Sequence, residues 1–316
     1  MESVTVPSME TNLRWILITA IAPILWGSTY YVTAHLLPAD SPLWGSAIRA
    51  LPAGLILLAI SRKLPRGSWW WRSLVLGTIN MGAFFALVYV AAQLLPTSIA
   101  STIMATGPIV MMLVAWALIR ERPKIIAVVG AVLGLAGVAI MLGGGGGAIS
   151  TLGVLASVAA MALSAFGFVL AKRWAGQVDP LSLSAWQLIA AGLVLLVAAA
   201  LVEGAPPALT PNMLWGFGYV SILATALAYT AWFTGLKHLS AGSVGLIGLL
   251  NPVVGVLLGT VLAGESLTLQ QILGLALILV GIVLGQPIID RFRARKNTAR
   301  SAVTTSTQAA ASATRD

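Results

Sequence analysis

Few side chains inside this 316-residue chain could do chemistry, and their kinds exclude more than they allow. Charged groups in hydrocarbon are costly and mark ion or proton pathways where they occur. Of 18 Lys and Arg residues, Arg49 alone lies well inside an apolar stretch, and no Asp, Glu or His sits mid-stretch. A carboxylate proton relay is therefore not expected; facilitated exchange or uniport is. Pro108 and Pro252 fall near the middle of apolar stretches, where a proline lacks a donor and frees the carbonyl four residues earlier, Met104 and Gly248. Two roles are open to them. Their kinks flank a central cavity whose freed carbonyls accept from a substrate ammonium or water, or they are packing features resolved by neighbouring helices. Enzyme chemistry has little to work with. The histidines are His35 and His238, cysteine is absent, and there is no His-Glu-x-x-His, paired intramembrane Asp or Gly-x-Ser-x-Gly; Gly242-Ser243-Val244-Gly245 is too short for the last. No catalytic residue, metal or cofactor is expected.

The elements that must position these residues follow from composition. With 59% hydrophobic and 9% charged residues, the chain is far from the quarter or so of charge usual in soluble domains. A bilayer core about 30 Å thick takes roughly 20 apolar residues per helix. Such stretches recur at 13–36, 42–61, 73–92, 97–119, 125–142, 149–171, 181–202, 211–236, 240–262 and 268–286. They are continuous mixtures of Leu, Ala, Val and Gly without two-residue alternation, which predicts helices over a barrel. Glu2 and Glu10 in a segment without a basic n-region argue against a cleavable signal peptide.

Basic residues alternate along the chain. Arg14, Arg62–Arg72, Arg120–Lys124, Lys172–Arg173, Lys237 and the tail from Arg291 hold 17 of the 18 Lys and Arg, whereas the connections around Asp40, Pro96, Glu203 and Glu265 and the glycine run 143–147 hold none. By the positive-inside tendency the first group and both termini are cytoplasmic. The expected segments are an N-tail 1–12, a first half 13–142, a linker 143–148, a second half 149–286 and a basic, disordered tail 287–316. That tail has no aromatic or apolar face and reads as a solvated topology signal, with no nucleic-acid partner. The glycine run lacks a following Lys-Ser or Lys-Thr and reads as a loop, with no role in holding phosphate.

The halves repeat. Pro108, Glu121, Gly130 and Gly137 recur 144 residues later as Pro252, Glu265, Gly274 and Gly281; Pro42, Ala53, Gly54, Leu57 and Leu58 recur 138 later as Pro180, Ala191, Gly192, Leu195 and Leu196. Five helices per half is an odd number, so the second half enters the bilayer from the opposite side, in agreement with the charges. The expected fold is an all-α membrane protein of ten transmembrane helices in two inverted five-helix repeats. Inverted repeats with a central site characterise secondary transporters. Aquaporin-like channels share the inversion but use paired Asn-Pro-Ala motifs, which are missing; Asn251-Pro252 is matched by Gly107-Pro108.

Trp26-Gly27-Ser28, Arg49 with the small and aliphatic residues after it, Pro108 with Glu121, Ser164 with Lys172-Arg173, Tyr229 with Trp232, and Pro252 with Gly264-Glu265 together resemble the drug/metabolite transporter superfamily, specifically its EamA-type ten-helix exporters, over residues 13–286. The overall look is similar to YddG-type amino-acid exporters of bacterial inner membranes. The resemblance implies alternating-access export of small metabolites, commonly amino acids, from a multi-pass inner-membrane protein. The alternative is a multidrug, nucleobase or nucleotide-sugar carrier, though a diphosphate would want more cavity cations than Arg49. The resemblance places helices 1, 3, 4, 6, 8 and 9 around the cavity, so Ser28, Asn80, Phe84, Met104, Thr106, Gly107, Ser164, Phe168, Tyr229, Trp232, Gly248 and Asn251 become candidate lining residues, with Pro108 and Pro252 as hinges. Small Gly107 and Ser164 suggest a roomy, tolerant site. A basic residue at position 49 recurs in that family, which favours a helix tie for Arg49 over capture of a substrate carboxylate at an outer vestibule. Gly130 with Gly134 and Gly281 with Gly285 fit close helix packing within the chain, or between the copies of a weak homodimer; a monomer is equally compatible.

Overall fold

A computed structural model describes residues 9–38, 40–95, 103–142, 150–263 and 268–286. The glycine run, Gly264-Glu265, the tail from 287 and residues 97–102 lie outside the described residues. Every regular element described is helical: α1 Met9–Leu36, α2 Pro42–Ser61, α3 Trp69–Gly77, α4 Phe84–Leu94, α5 Gly107–Ile119, α6 Ile125–Leu142, α7 Thr151–Ala175, α8 Pro180–Val202, α9 Pro211–Ser221, α10 Ala228–His238, α11 Ala241–Ile247, α12 Leu250–Ala263 and α13 Leu269–Leu284. Five helical stretches, Pro42–Ser61, Trp69–Ala91, Thr151–Ala175, Pro180–Val202 and Pro211–His238, are long and apolar enough to cross a membrane; shorter apolar helices complete the bundle. Large apolar side chains face outward on most of them, Ile125 at 84% and Leu201 at 80% exposure among them, as suits a surface solvated by lipid.

Two features interrupt regular α-helix, and each occurs twice. α3 runs into α4 through a π-helical turn, Thr78–Ala83, and α9 runs into α10 through another, Ile222–Leu227, 144 residues later. A π-turn removes one carbonyl from the regular ladder and is a common device at functional sites. Turns at Ala105–Thr106 and Gly248–Leu249 break the helices just before Pro108 and Pro252, where a proline ring cannot coexist with an unbroken helix four residues upstream.

Packing follows the same spacing. α2 lies against α8: a Cβ on Gly54 would sit 2.7 Å from the Ile189 amide, and one on Gly192 would sit 2.8 Å from Cα of Leu51. α6 lies against α13, with Gly130 on Gly281 and Gly137 on Gly274. Small residues let the backbones approach, and dispersion then holds helices that hydrophobic exclusion cannot drive together in lipid. These glycine faces are engaged within the chain, so the dimer reading of that spacing loses its surface.

Helix ends borrow carboxylates from elsewhere in the fold. Glu203, beyond α8, accepts from the Leu43 and Trp44 amides at 2.7 and 3.0 Å and so caps α2. Glu121, beyond α5, accepts from the Ala241 amide of α11 at 2.7 Å and pairs with Lys172 at 3.0 Å, while Lys172 also donates to the Leu239 carbonyl at 2.7 Å. Each carboxylate meets helix N-terminal N–H groups that have no partner within their own helix.

Candidate substrate cavity

A cavity of about 340 Å³ opens where the two proline breaks face each other, within the range of small-molecule sites. Its wall is drawn from both halves. The first break contributes Met104, Gly107 and Pro108, the second Gly248, Asn251 and Pro252. α4 adds Phe84, α7 adds Ser164 and Phe168, and α10 adds Tyr229 and Trp232. At the second break Gly248 does not offer a bare carbonyl: it accepts from the Asn251 amide at 3.0 Å, a tightened turn that takes up much of what Pro252 frees.

The floor is aromatic. Trp26 stacks at a tilt on Tyr229 and Trp232, with ring centroids 5.2 and 5.1 Å apart, and Phe168 lies 5.4 Å from Trp232 and 5.9 Å from Phe233. Such tilted pairs exceed the value of their buried area by about 0.5–1.5 kcal/mol each. Phe168 stands one turn before Lys172 along α7. The cavity extends toward the C-terminal ends of α1 and α4, since Thr33 and Tyr89 line it.

Arg49 is the one charged residue of the wall; no Asp, Glu, Lys or His lines it among the described residues. Its position depends on the second π-turn. Arg49 Nε donates to Thr225 Oγ1 at 2.7 Å, its Nη2 to the Ala224 carbonyl at 3.3 Å, and its guanidinium lies 4.2 Å from the Phe85 ring centre. The Ala224 carbonyl also accepts from Trp26 Nε1 at 3.0 Å. The turn thus turns out a carbonyl that two cavity residues share. Arg49 is a tie between α2 and the turn and, at the same time, part of the cavity wall.

Three expected lining residues lie elsewhere. Ser28 hydrogen-bonds the Leu25 carbonyl and the Tyr219 hydroxyl, which turns it toward α9. Thr106 donates to the Ile103 carbonyl at 2.7 Å and serves the helix break. Asn80, in the first π-turn, is wholly buried, donates to Gln187 Oε1 at 2.8 Å and packs so closely on Gly167 that a Cβ there would strike its carboxamide. For all three a local or cross-helix partner outcompetes the cavity.

Other wall residues are not among the expected lining: Trp26, known from sequence only as part of the Trp26-Gly27-Ser28 motif, with Thr29 and Thr33 on α1, Ser46 on α2, Phe85, Val88 and Tyr89 on α4, Met111 on α5 and Met161 on α7. Helical periodicity holds the missing signal. Ser46 is one turn from Arg49, Met111 one turn from Gly107 and Met161 one turn from Ser164, so each shares a face with a residue already in view. Three of the wall's polar atoms, Ser46 Oγ, Tyr89 Oη and Trp232 Nε1, are buried without a hydrogen-bond partner. Such orphans are rare in folded proteins and ask for a reason.

The model of the EamA-like transporter family matches twice in tandem, over residues 13–143 and 151–285. The protein PecM of Dickeya dadantii is 35% identical over 84% of this chain and 90% of its own length. The uncharacterized inner membrane transporter YedA of Escherichia coli is 30% identical over 83% of this chain and 87% of its own. A crystal structure shares the fold with a TM-score of 0.75 at 20% identity, covering 89% of this chain and 99% of that one. The protein is a multi-pass inner-membrane transporter, not an enzyme. It belongs to the EamA-like transporter family, within the drug/metabolite transporter superfamily.

Proposed function

We propose that the chain carries amino acids and related small metabolites out of the cell by alternating access, through ten spanning helices in two inverted halves with both termini cytoplasmic. The single observation that carries the substrate reading is the wall itself: among the described residues it holds one cation, no acid, and seven aromatic side chains. A zwitterion suits it. Its carboxylate meets Arg49 at one end, its ammonium lies over indole and phenol faces that attract cations, and its side chain contacts Met104, Met111 and Met161, which adapt to varied shapes. A cationic drug would face the Arg49 charge, and a nucleotide-sugar diphosphate would find, among the described wall residues, one cation where it needs several.

The alternating-access reading draws support from unequal surroundings of equivalent positions. Arg49 lines the cavity and is half-buried, whereas Gln187, 138 residues later, is wholly buried. Tyr89 lines it, whereas Phe233, 144 later, is 2% exposed. Arg49 grips the second π-turn and Gln187 grips Asn80 in the first. Exchanging the two arrangements closes one end and opens the other, and the molecule already holds both packings, one in each half.

Purified protein in liposomes should exchange radiolabelled amino acids across the membrane down their gradient and discriminate against cationic drugs of similar size. Uphill accumulation driven by a pH gradient would defeat the facilitated mechanism. Uptake of cations alone would defeat the substrate class.

A further inference from the structure

The least explained cluster outside the cavity is a cage of tryptophans around Arg72. Its guanidinium lies 5.6 Å from the ring centre of Trp69, 5.7 Å from Trp71 and 5.5 Å from Trp174, and Trp71 meets Trp174 edge-on at 5.2 Å. Its Nε is buried and has no acceptor among the described residues. An indole cage holds an arginine fork in place and withdraws it from water, which strengthens any charge-assisted hydrogen bond to an outside acceptor. Of the acids at this end, Glu121 is engaged with Lys172 and Asp179 with Lys63. Arg62, Arg66 and Arg173 are exposed around the cage, so the surroundings favour an anion.

The apolar surface beside it points to the anion's source. Trp71 is 51% and Leu74 50% exposed, one on each side of Arg72 along α3, and Trp70 is 62% exposed. Indoles of this kind sit at headgroup depth, and a leucine one turn further along the helix lies at acyl-chain depth. A soluble phosphate would use the cation and ignore this strip; a phospholipid uses both.

We propose that Arg72, Trp71 and Trp174 form a binding site for one anionic phospholipid, with its phosphate on the Arg72 fork and an acyl chain along Trp71 and Leu74. The site is independent of what the central cavity carries. Native mass spectrometry of the whole protein, with phosphatidylglycerol and phosphatidylcholine of identical chains, tests it. The wild type should retain the anionic lipid preferentially, and Arg72→Gln should lower that preference about fivefold, the factor for one basic group at an anionic surface. Arg66→Gln, exposed and outside the cage, should leave it nearly intact. Arg72→Lys should fall between, because the charge remains and the planar fork is lost. Equal retention of the two lipids by the wild type, full preference in Arg72→Lys, or displacement of the lipid by inorganic phosphate alone would overturn the proposal. Should Arg72→Gln fail to fold, the wild type still decides: its thermal midpoint must rise with the anionic lipid and not with the zwitterionic one.

Discussion

At the scale of single residues, the protein's polar groups are rationed and divide between bonding their own helix and holding helices to one another. Arg49 shows how one side chain serves two roles. Removing it strands Thr225 and the Phe85 face, while the Ala224 carbonyl keeps Trp26, so Arg49→Gln should abolish most transport and lower the thermal midpoint. Thr225→Val removes one partner, costs about 1 kcal/mol and should largely spare transport; if both variants lost transport equally, the tie and not the cation would be the essential part. Asp179 offers a titration test outside the spans. Partial burial pushes its carboxyl up, but hydrogen bonds from the Ser182 amide, Lys63 and the Ser182 hydroxyl outweigh this and hold it below the usual carboxylate range. A carboxyl depressed by folding stabilises above its unfolded value, about 3.9, and this contribution is lost as pH falls through the folded value. Asp179→Asn keeps the helix cap and removes the charge. It should lower the thermal midpoint slightly near neutrality, by about 0.5 kcal/mol or less for so exposed a pair, and not at all in strong acid. Unfolding scans of both proteins across that pH range measure it.

At the scale of elements, glycine decides which helices touch. Gly281 is held against Gly130 and Gly134, so Gly281→Ala forces α6 and α13 apart and should cost about 1–3 kcal/mol by overpacking. Gly218, within α9, has nothing within 4 Å of its missing Cβ, and Gly218→Ala should be neutral or slightly stabilising. Equal losses in the two, read from thermal midpoints in one detergent, would refute the packing argument. The helices themselves were legible in sequence because about 20 apolar residues suffice to define one in a bilayer. The glycine spacings were legible too, as close-packing faces, though only the fold assigned Gly130 to Gly281 and Gly137 to Gly274. The π-turns were not legible: nothing in TINMGA or ILATAL departs from ordinary helical composition, and the extra residue is stabilised by partners on other helices, Gln187 for one turn and Arg49 for the other.

At the scale of the whole molecule, the absence of cysteine makes labelling clean. A cysteine at Arg66 should react with an impermeant thiol reagent only from the cytoplasmic side, and one at Asn212 only from outside; the reverse pattern would overturn the topology. Tyr89→Cys, half-buried on the cavity wall, should label more readily than Phe233→Cys in the resting protein, and transported substrate should narrow the gap as the halves exchange. A fixed ratio at saturating substrate would argue against that exchange. The sequence by itself determined residence in the membrane, the helical stretches, the 144- and 138-residue spacings and the dearth of intramembrane charge. Each of these depends on hydropathy or identity alone and needs no neighbour. Only the tertiary structure decided which polar residues face the cavity. Asn80 had every qualification for the wall, yet Gln187, 107 positions away, claims it, while Ser46 and Tyr89 reach the wall through the helix faces they share with Arg49 and Phe85. In hydrocarbon a polar side chain turns toward whichever partner satisfies it, and that partner is fixed only when helices distant in sequence have packed.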